Sequence, residues 1–182
     1  MSDIFIPTIL GTARDGRRSL AVAEAVMDLM KQRSLMTSLI DVADYRIAAT
    51  GDNAAGLDRY REIVAAADGL IIVAPEYNHG YPGELKLLLD SDFSAYVRKP
   101  VGLVTVSSGR IGGARLAEQL RLLTTALRMV PVSPALHVVD ADRAITEDGQ
   151  LASPSLEQVA NDVLDEVSWF AEALAPARAE QR

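Results

Sequence analysis

Three short stretches hold most of the residues in this chain that could do chemistry. The first is Gly11-Thr12-Ala13-Arg14-Asp15-Gly16-Arg17-Arg18-Ser19. Gly11 and Gly16 free the backbone, and the hydroxyls of Thr12 and Ser19 can donate. Arg14, Arg17 and Arg18 gather positive charge in an otherwise acidic chain. If a helix starts at the end of this loop, its N–H groups and partial positive charge aim at the same point. That pattern suits a phosphate or similar anion; the alternative is a solvated basic loop. No lysine follows the glycine as a P-loop requires, and the spacing is not Gly-x-Gly-x-x-Gly, so a dinucleotide Rossmann site is disfavoured.

The second stretch is Pro75-Glu76-Tyr77-Asn78-His79-Gly80-Tyr81-Pro82-Gly83. It follows the uncharged run Ile71-Ile72-Val73-Ala74, which predicts a strand buried on both faces. Pro75 has no N–H to donate and ends the ladder. Pro82 suits the first turn of a helix. The loop therefore lies at the carboxyl end of a central parallel strand, where open α/β sheets place ligands. An ordinary polar strand-to-helix loop is the alternative. The third stretch is Ser107-Ser108-Gly109-Arg110-Ile111-Gly112-Gly113, a glycine-rich turn after another apolar run.

Composition narrows the chemistry further. The 182 residues predict one domain with a full core. Hydrophobic residues make up 49%, too many for a disordered chain. There are no cysteines, which excludes disulfides, thiolate metal sites and cysteine nucleophiles. The two histidines, His79 and His137, are far apart in sequence, so a zinc or iron site is hard to assemble. A net charge of −7 argues against nucleic acid or an anionic membrane as a general partner. Neither a basic leader nor a long apolar segment is visible, so a soluble cytoplasmic protein is expected.

The elements that must position the three loops alternate. Strands are predicted at 4–10, 35–42, 69–74, 100–106 and 129–139. Helices are predicted at 20–33, with Ser19 as N-cap, and at 58–67, 82–90, 114–127 and 154–174. Two prolines in the last strand mark it as an edge. The connection at 44–57 is polar, the acidic run 140–148 reads as a solvated loop, and 176–182 as a frayed tail. Met27, Met30 and Met36 read as core. Five strands alternating with five helices predict a doubly wound α/β domain, a parallel sheet with helices on both faces. In the order 2-1-3-4-5 the switch point falls between strands 1 and 3, which carry the first two loops, and the third loop lies beside them.

With these motifs in register, residues 4 to about 170 resemble the NADPH-dependent FMN reductase family of the flavodoxin-like fold. The first loop is similar to that family's Gly-Ser-x-Arg-x-Gly-Arg-x-Ser, with Thr12 in place of serine. The second carries its Pro-Glu-Tyr-Asn followed by Pro-Gly-x-Leu-Lys, with Leu87 where asparagine often follows. The third resembles its glycine-rich turn, with Ser108 where tyrosine is common and Arg110 in place of glycine. The resemblance implies non-covalent FMN, with NADPH or NADH as hydride donor and flavin, quinone, azo or metal-oxyanion acceptors. It implies cofactor contacts from Gly11, Thr12, Arg14, Arg17 and Ser19 to the phosphate. Pro75, Glu76, Tyr77 and Asn78 would cradle the ring, and Ser107, Ser108 and Gly109 its pyrimidine edge. Gly80 and Gly83 would allow close approach. No catalytic side chain is implied, because the cofactor carries the chemistry. Two other classes share the fold: a flavodoxin-type electron carrier without NAD(P)H oxidase activity, and an FMN-free binding domain. The family usually forms dimers or tetramers, and Phe93, Tyr96 and Val97, without an evident partner in the domain, are expected at a contact between copies.

Overall fold

The computed structural model describes residues 4–45, 47–51 and 56–180. The strands are β1 (Thr8–Leu10), β2 (Leu39–Asp41), β3 (Leu70–Pro75), β4 (Pro100–Val106), β5 (Val130–Pro131) and β6 (Leu136–Val138). The helices are α1 (Ser19–Gln32), α2 (Leu57–Ala66), α3 (Gly83–Leu89), α4 (Ala114–Ala126) and α5 (Pro154–Ala179). All strand pairings are parallel, in the order β2-β1-β3-β4-β5, with β6 also on β4. This is the flavodoxin-like, doubly wound arrangement expected from the alternation of elements.

Period-two alternation along the strands sends side chains to two separate cores. Ile9, Leu70, Ile72 and Leu103 meet Tyr60 and Val64 of α2, Leu85 and Leu88 of α3, and Leu116 and Leu120 of α4. Leu10, Ile71, Val73 and Val104 meet Val22, Val26 and Met30 of α1, and Val163 and Val167 of α5. With both faces covered, β3 and β4 need apolar residues throughout, and every residue of β4 is buried. The carboxyl ends of β1, β3 and β4 stay clear, and the three loops emerge there.

Several expectations change. Pro7 cannot donate to the ladder, so pairing before β1 is a single bridge, Phe5 with Met36. Regular pairing of β2 accordingly starts at Leu39 rather than at 35. Met36 is 46% exposed and is not core. The last expected strand is split, because its register on β4 shifts by two residues between Val101↔Pro131 and Val104↔Leu136. Pro134 lies in that insertion.

The acidic run is only partly solvated. Ala141 and Ala144 are buried in the core, and Ile145 bridges to Leu151. The tail does not fray at 176, since α5 continues through Pro176 to Ala179; Gln181 and Arg182 lie outside the described residues. In the connection at 44–57, Arg46 and residues 52–55 lie outside them too.

Tyr96 does have a partner in the domain. It is fully buried, and its hydroxyl meets that of Tyr60. Burial pushes both phenols above their ordinary value. Only Phe93, 50% exposed, keeps the surface character expected of a contact between copies, with Val97 partly covered.

Candidate functional site

Each loop is held by partners distant in sequence. The first begins where Gly11 N–H donates to Val73 O at 2.8 Å, prolonging the β1–β3 pairing. A Cβ on Gly11 would lie 2.9 Å from Leu85 Cδ2 and 3.0 Å from Ala74 Cβ, so this glycine is needed for close packing beneath the loop. Thr12 is fully buried. Its Oγ1 lies 3.1 Å from Tyr77 Oη and 3.1 Å from Glu84 Oε1, and it accepts Arg14 N–H at 3.3 Å. Glu84 Oε1 also accepts Ala13 N–H at 3.0 Å. Thr12 therefore fastens the first loop to the second loop and to α3.

The three arginines divide their work. Arg17 donates to Thr12 O at 2.9 Å and pairs with Asp41 at the end of β2. Arg18 pairs with Asp142. The Arg14 guanidinium has no partner among the described residues and is exposed. Ser19 is not the N-cap. Arg18 holds that position with helical backbone and no side-chain cap, which leaves Ser19 as the first residue of α1. Ser19 is 2% exposed, and its Oγ has no hydrogen-bond partner among the described residues. The first turn of α1 carries no acidic residue either. An uncapped helix start, a buried orphan hydroxyl and an unpaired guanidinium are together groups that could hold an anion. An orphan hydroxyl costs about 1–3 kcal/mol unless something accepts its proton.

The second loop folds on itself. Tyr77 and Gly80 exchange two backbone bonds of 2.9 Å, with Asn78 (φ 49°) and His79 (φ 68°) left-handed between them. That is a two-residue hairpin turn, a conformation in which asparagine is common. The positive φ angles thus fall on Asn78 and His79, not on Gly80 or Gly83. The Glu76 side chain is 8% exposed. Its Oε2 accepts Leu116 N–H at 3.3 Å and its Oε1 lies 3.5 Å from Arg115 Nη1, tying the loop to the start of α4.

The third loop is anchored from below. Thr105 Oγ1 lies 2.7 Å from Gly112 O and 2.8 Å from His137 Nδ1. The carbonyl can only accept, so the threonine proton goes to it and Nδ1–H donates to Oγ1. Gly112 has φ 57°, and a Cβ there would meet His137 C at 2.8 Å. Ser107 N–H donates to Val138 O and Gly109 N–H to Ser107 Oγ, so only Ser108 N–H keeps no internal bond among these three.

Burial pushes the His137 imidazole below its ordinary value of 6.5; Arg121 adds to the effect and Glu118 opposes it. The unfolded chain therefore takes up this proton first. The stability His137 contributes is present above about pH 6.5 and lost as pH falls toward the folded value. Urea midpoints at about pH 7.5 and about pH 5.5 should fall less on acidification in His137→Gln than in the wild type. Equal falls would remove His137 from the account.

The loops enclose a cavity of about 310 Å³. Of the residues expected from sequence, Arg14, Arg17, Ser19, Pro75, Glu76, Tyr77, Ser107, Ser108 and Gly109 line it. Gly11, Thr12 and Asn78 do not. Val106, Ala141, Asp15, Gly16 and Arg18 complete the wall. Sequence reasoning missed Glu84, whose only signal was an acid in the first turn of α3. A larger hollow of about 720 Å³, lined by Arg61, Ala65, Asp92 and Lys99 among others, sits at the opposite ends of the strands, away from all three loops. Among the described residues no group of three or more His, Cys, Asp or Glu could hold a metal, and no helix is long and apolar enough to cross a membrane.

Comparison with known proteins agrees with this fold. The chain is 25% identical over 181 residues to an NAD(P)H-dependent FMN reductase of Pseudomonas aeruginosa, covering 94% of this chain and 97% of that protein. It is 31% identical over 131 residues to a quinone reductase of Escherichia coli, covering 67% and 70%. The flavoenzyme NAD(P)H:(acceptor) oxidoreductase of Paracoccus denitrificans superposes with a TM-score of 0.78 at 20% identity, covering 93% of this chain and 98% of that one. The NADPH-dependent FMN reductase family matches residues 6–143, so the chain belongs to that family.

Proposed function

We propose that the chain holds FMN in the 310 Å³ cavity and passes reducing equivalents from NAD(P)H to a small acceptor such as a quinone, an azo compound or free flavin. One observation carries the placement of the cofactor. The orphan Ser19 hydroxyl, the uncapped start of α1 and Arg14, without a partner among the described residues, all line the cavity. They fit a phosphate monoester, which offers acceptors and negative charge together. Tyr77 supplies an aromatic wall, fixed through its bond to Thr12. Ser108 N–H and the serine hydroxyls of the third loop would meet polar edges of the ring.

When bound, FMN supplies the two-electron chemistry, taking hydride from the nicotinamide and handing electrons on. The protein holds, orients and shields, and no side chain is assigned a catalytic role. Arg17 and Arg18 serve by bracing the phosphate loop against Asp41 and Asp142. The reading also takes the protein to be cytoplasmic and homo-oligomeric, with the half-exposed Phe93 available to a second copy.

The purified protein should be yellow, or become so with FMN, at one flavin per chain, and should oxidise NADPH or NADH when a quinone is supplied. A colourless protein that leaves FMN fluorescence unquenched on titration ends the cofactor assignment. Bound FMN that neither nucleotide reduces would make the chain an electron carrier instead.

A further inference from the structure

A second hollow opens beside the cavity. It measures about 450 Å³ and is lined by Ser108, Gly109, Arg110, Val139 and Asp140. Ser108 and Gly109 line both spaces, so the two meet across this rim. The Arg110 guanidinium is exposed and has no partner among the described residues. Val139 is 41% exposed. The hollow thus sets an exposed guanidinium beside the apolar surface of Val139.

The cavity itself is near the lower limit for one drug-sized ligand. A dinucleotide whose reactive end works there must run its other end outside, and the rim at Ser108–Gly109 leads to Arg110. Resting on the reading above, we propose that this hollow takes the adenosine end of the dinucleotide, with Arg110 binding a phosphate on the ribose 2′ oxygen. NADPH is then preferred over NADH. A planar guanidinium suits a phosphate dianion. Val139 offers apolar surface to the adenine. Asp140 opposes the phosphate electrostatically, so it sets an upper bound on the preference, and Asp140→Asn should increase it.

The test uses FMN-loaded protein in two assays. In calorimetry, adenosine 2′,5′-bisphosphate should bind roughly five- to thirtyfold more tightly than 5′-AMP, the lower part of the range for a charge-assisted bond because Arg110 is exposed. Arg110→Ala should remove most of that difference. In steady-state assays the same variant should raise the KM for NADPH by a similar factor and leave kcat and the KM for NADH nearly unchanged. Equal binding of the two adenosine probes by the wild type overturns the proposal. So does an Arg14→Ala variant that loses the discrimination while Arg110→Ala keeps it. If neither nucleotide is oxidised, the reductase reading fails, while the adenosine titration still decides the role of Arg110.

Discussion

Arg14→Ala should weaken FMN binding by roughly tenfold to a hundredfold while leaving riboflavin binding within about twofold. The two ligands differ only by the phosphate, and a charge-assisted hydrogen bond is worth about 1.5–3 kcal/mol. The exposure of Arg14 places the effect toward the lower part of that range. Loop collapse is not expected to confuse the result, because Arg17, Thr12 and Glu84 hold the loop independently. Ser19→Ala gives a second arm with opposite signs. Removing a buried orphan hydroxyl should stabilise the ligand-free protein by about 1 kcal/mol, yet weaken FMN. Titration calorimetry of both ligands and thermal melts without ligand supply the data. If Arg14→Ala weakens both flavins equally, the phosphate does not sit on this loop.

Gly112→Ala should be among the most damaging small substitutions in the chain. The added Cβ would lie 2.8 Å from His137 C and 3.0 Å from His137 O, backbone that cannot step aside without moving β6. The positive φ of 57° adds strain for any residue with a Cβ. Overpacking costs about 1–3 kcal/mol and left-handed backbone about 1–2 kcal/mol, a total near 3 kcal/mol. For a domain of this size that is a melting point lowered by about 6–12 °C. Gly149→Ala is the control, because φ there is 79° but no atom of the described residues lies within 4 Å of the added Cβ. It should lose only the conformational part. Equal losses in the two variants would mean that contact with His137 is irrelevant.

How far the sequence predicts this arrangement depends on the range of each interaction. Strand and helix identity follow from local apolar period, so the sheet order and the convergence of three loops were readable from the chain alone. Arg14 and Tyr77 were found as cavity residues because their types match a ligand directly. The fates of Thr12 and Arg17 were not readable. Each was credited with ligand contact; Thr12 lies outside the cavity lining, bonded to Tyr77 and Glu84, while Arg17 lines the cavity and also pairs with Asp41. Those partners are 65, 72 and 24 residues away. Sequence gives the bonding capacity of a side chain, and only the fold says whether a neighbour has already taken it. Tyr96 was misread for the same reason, since Tyr60 lies 36 residues earlier on another helix. The reverse also holds. Ser19 was credited as a cap, and the absence of any cap is what leaves its hydroxyl available.

The split between β5 and β6 bears on how copies of the chain can meet. One border of the sheet is β2, three residues long, and the other is interrupted by a two-residue register shift and the prolines at 131 and 134. Neither border presents a long row of unpaired donors and acceptors, so neither can template strand addition from another molecule. Continuous cross-molecule sheets, whether in a dimer or in an aggregate, are thereby disfavoured. Any stable assembly has to use side chains on helices and loops, where the exposed Phe93, Leu122 and Trp169 lie.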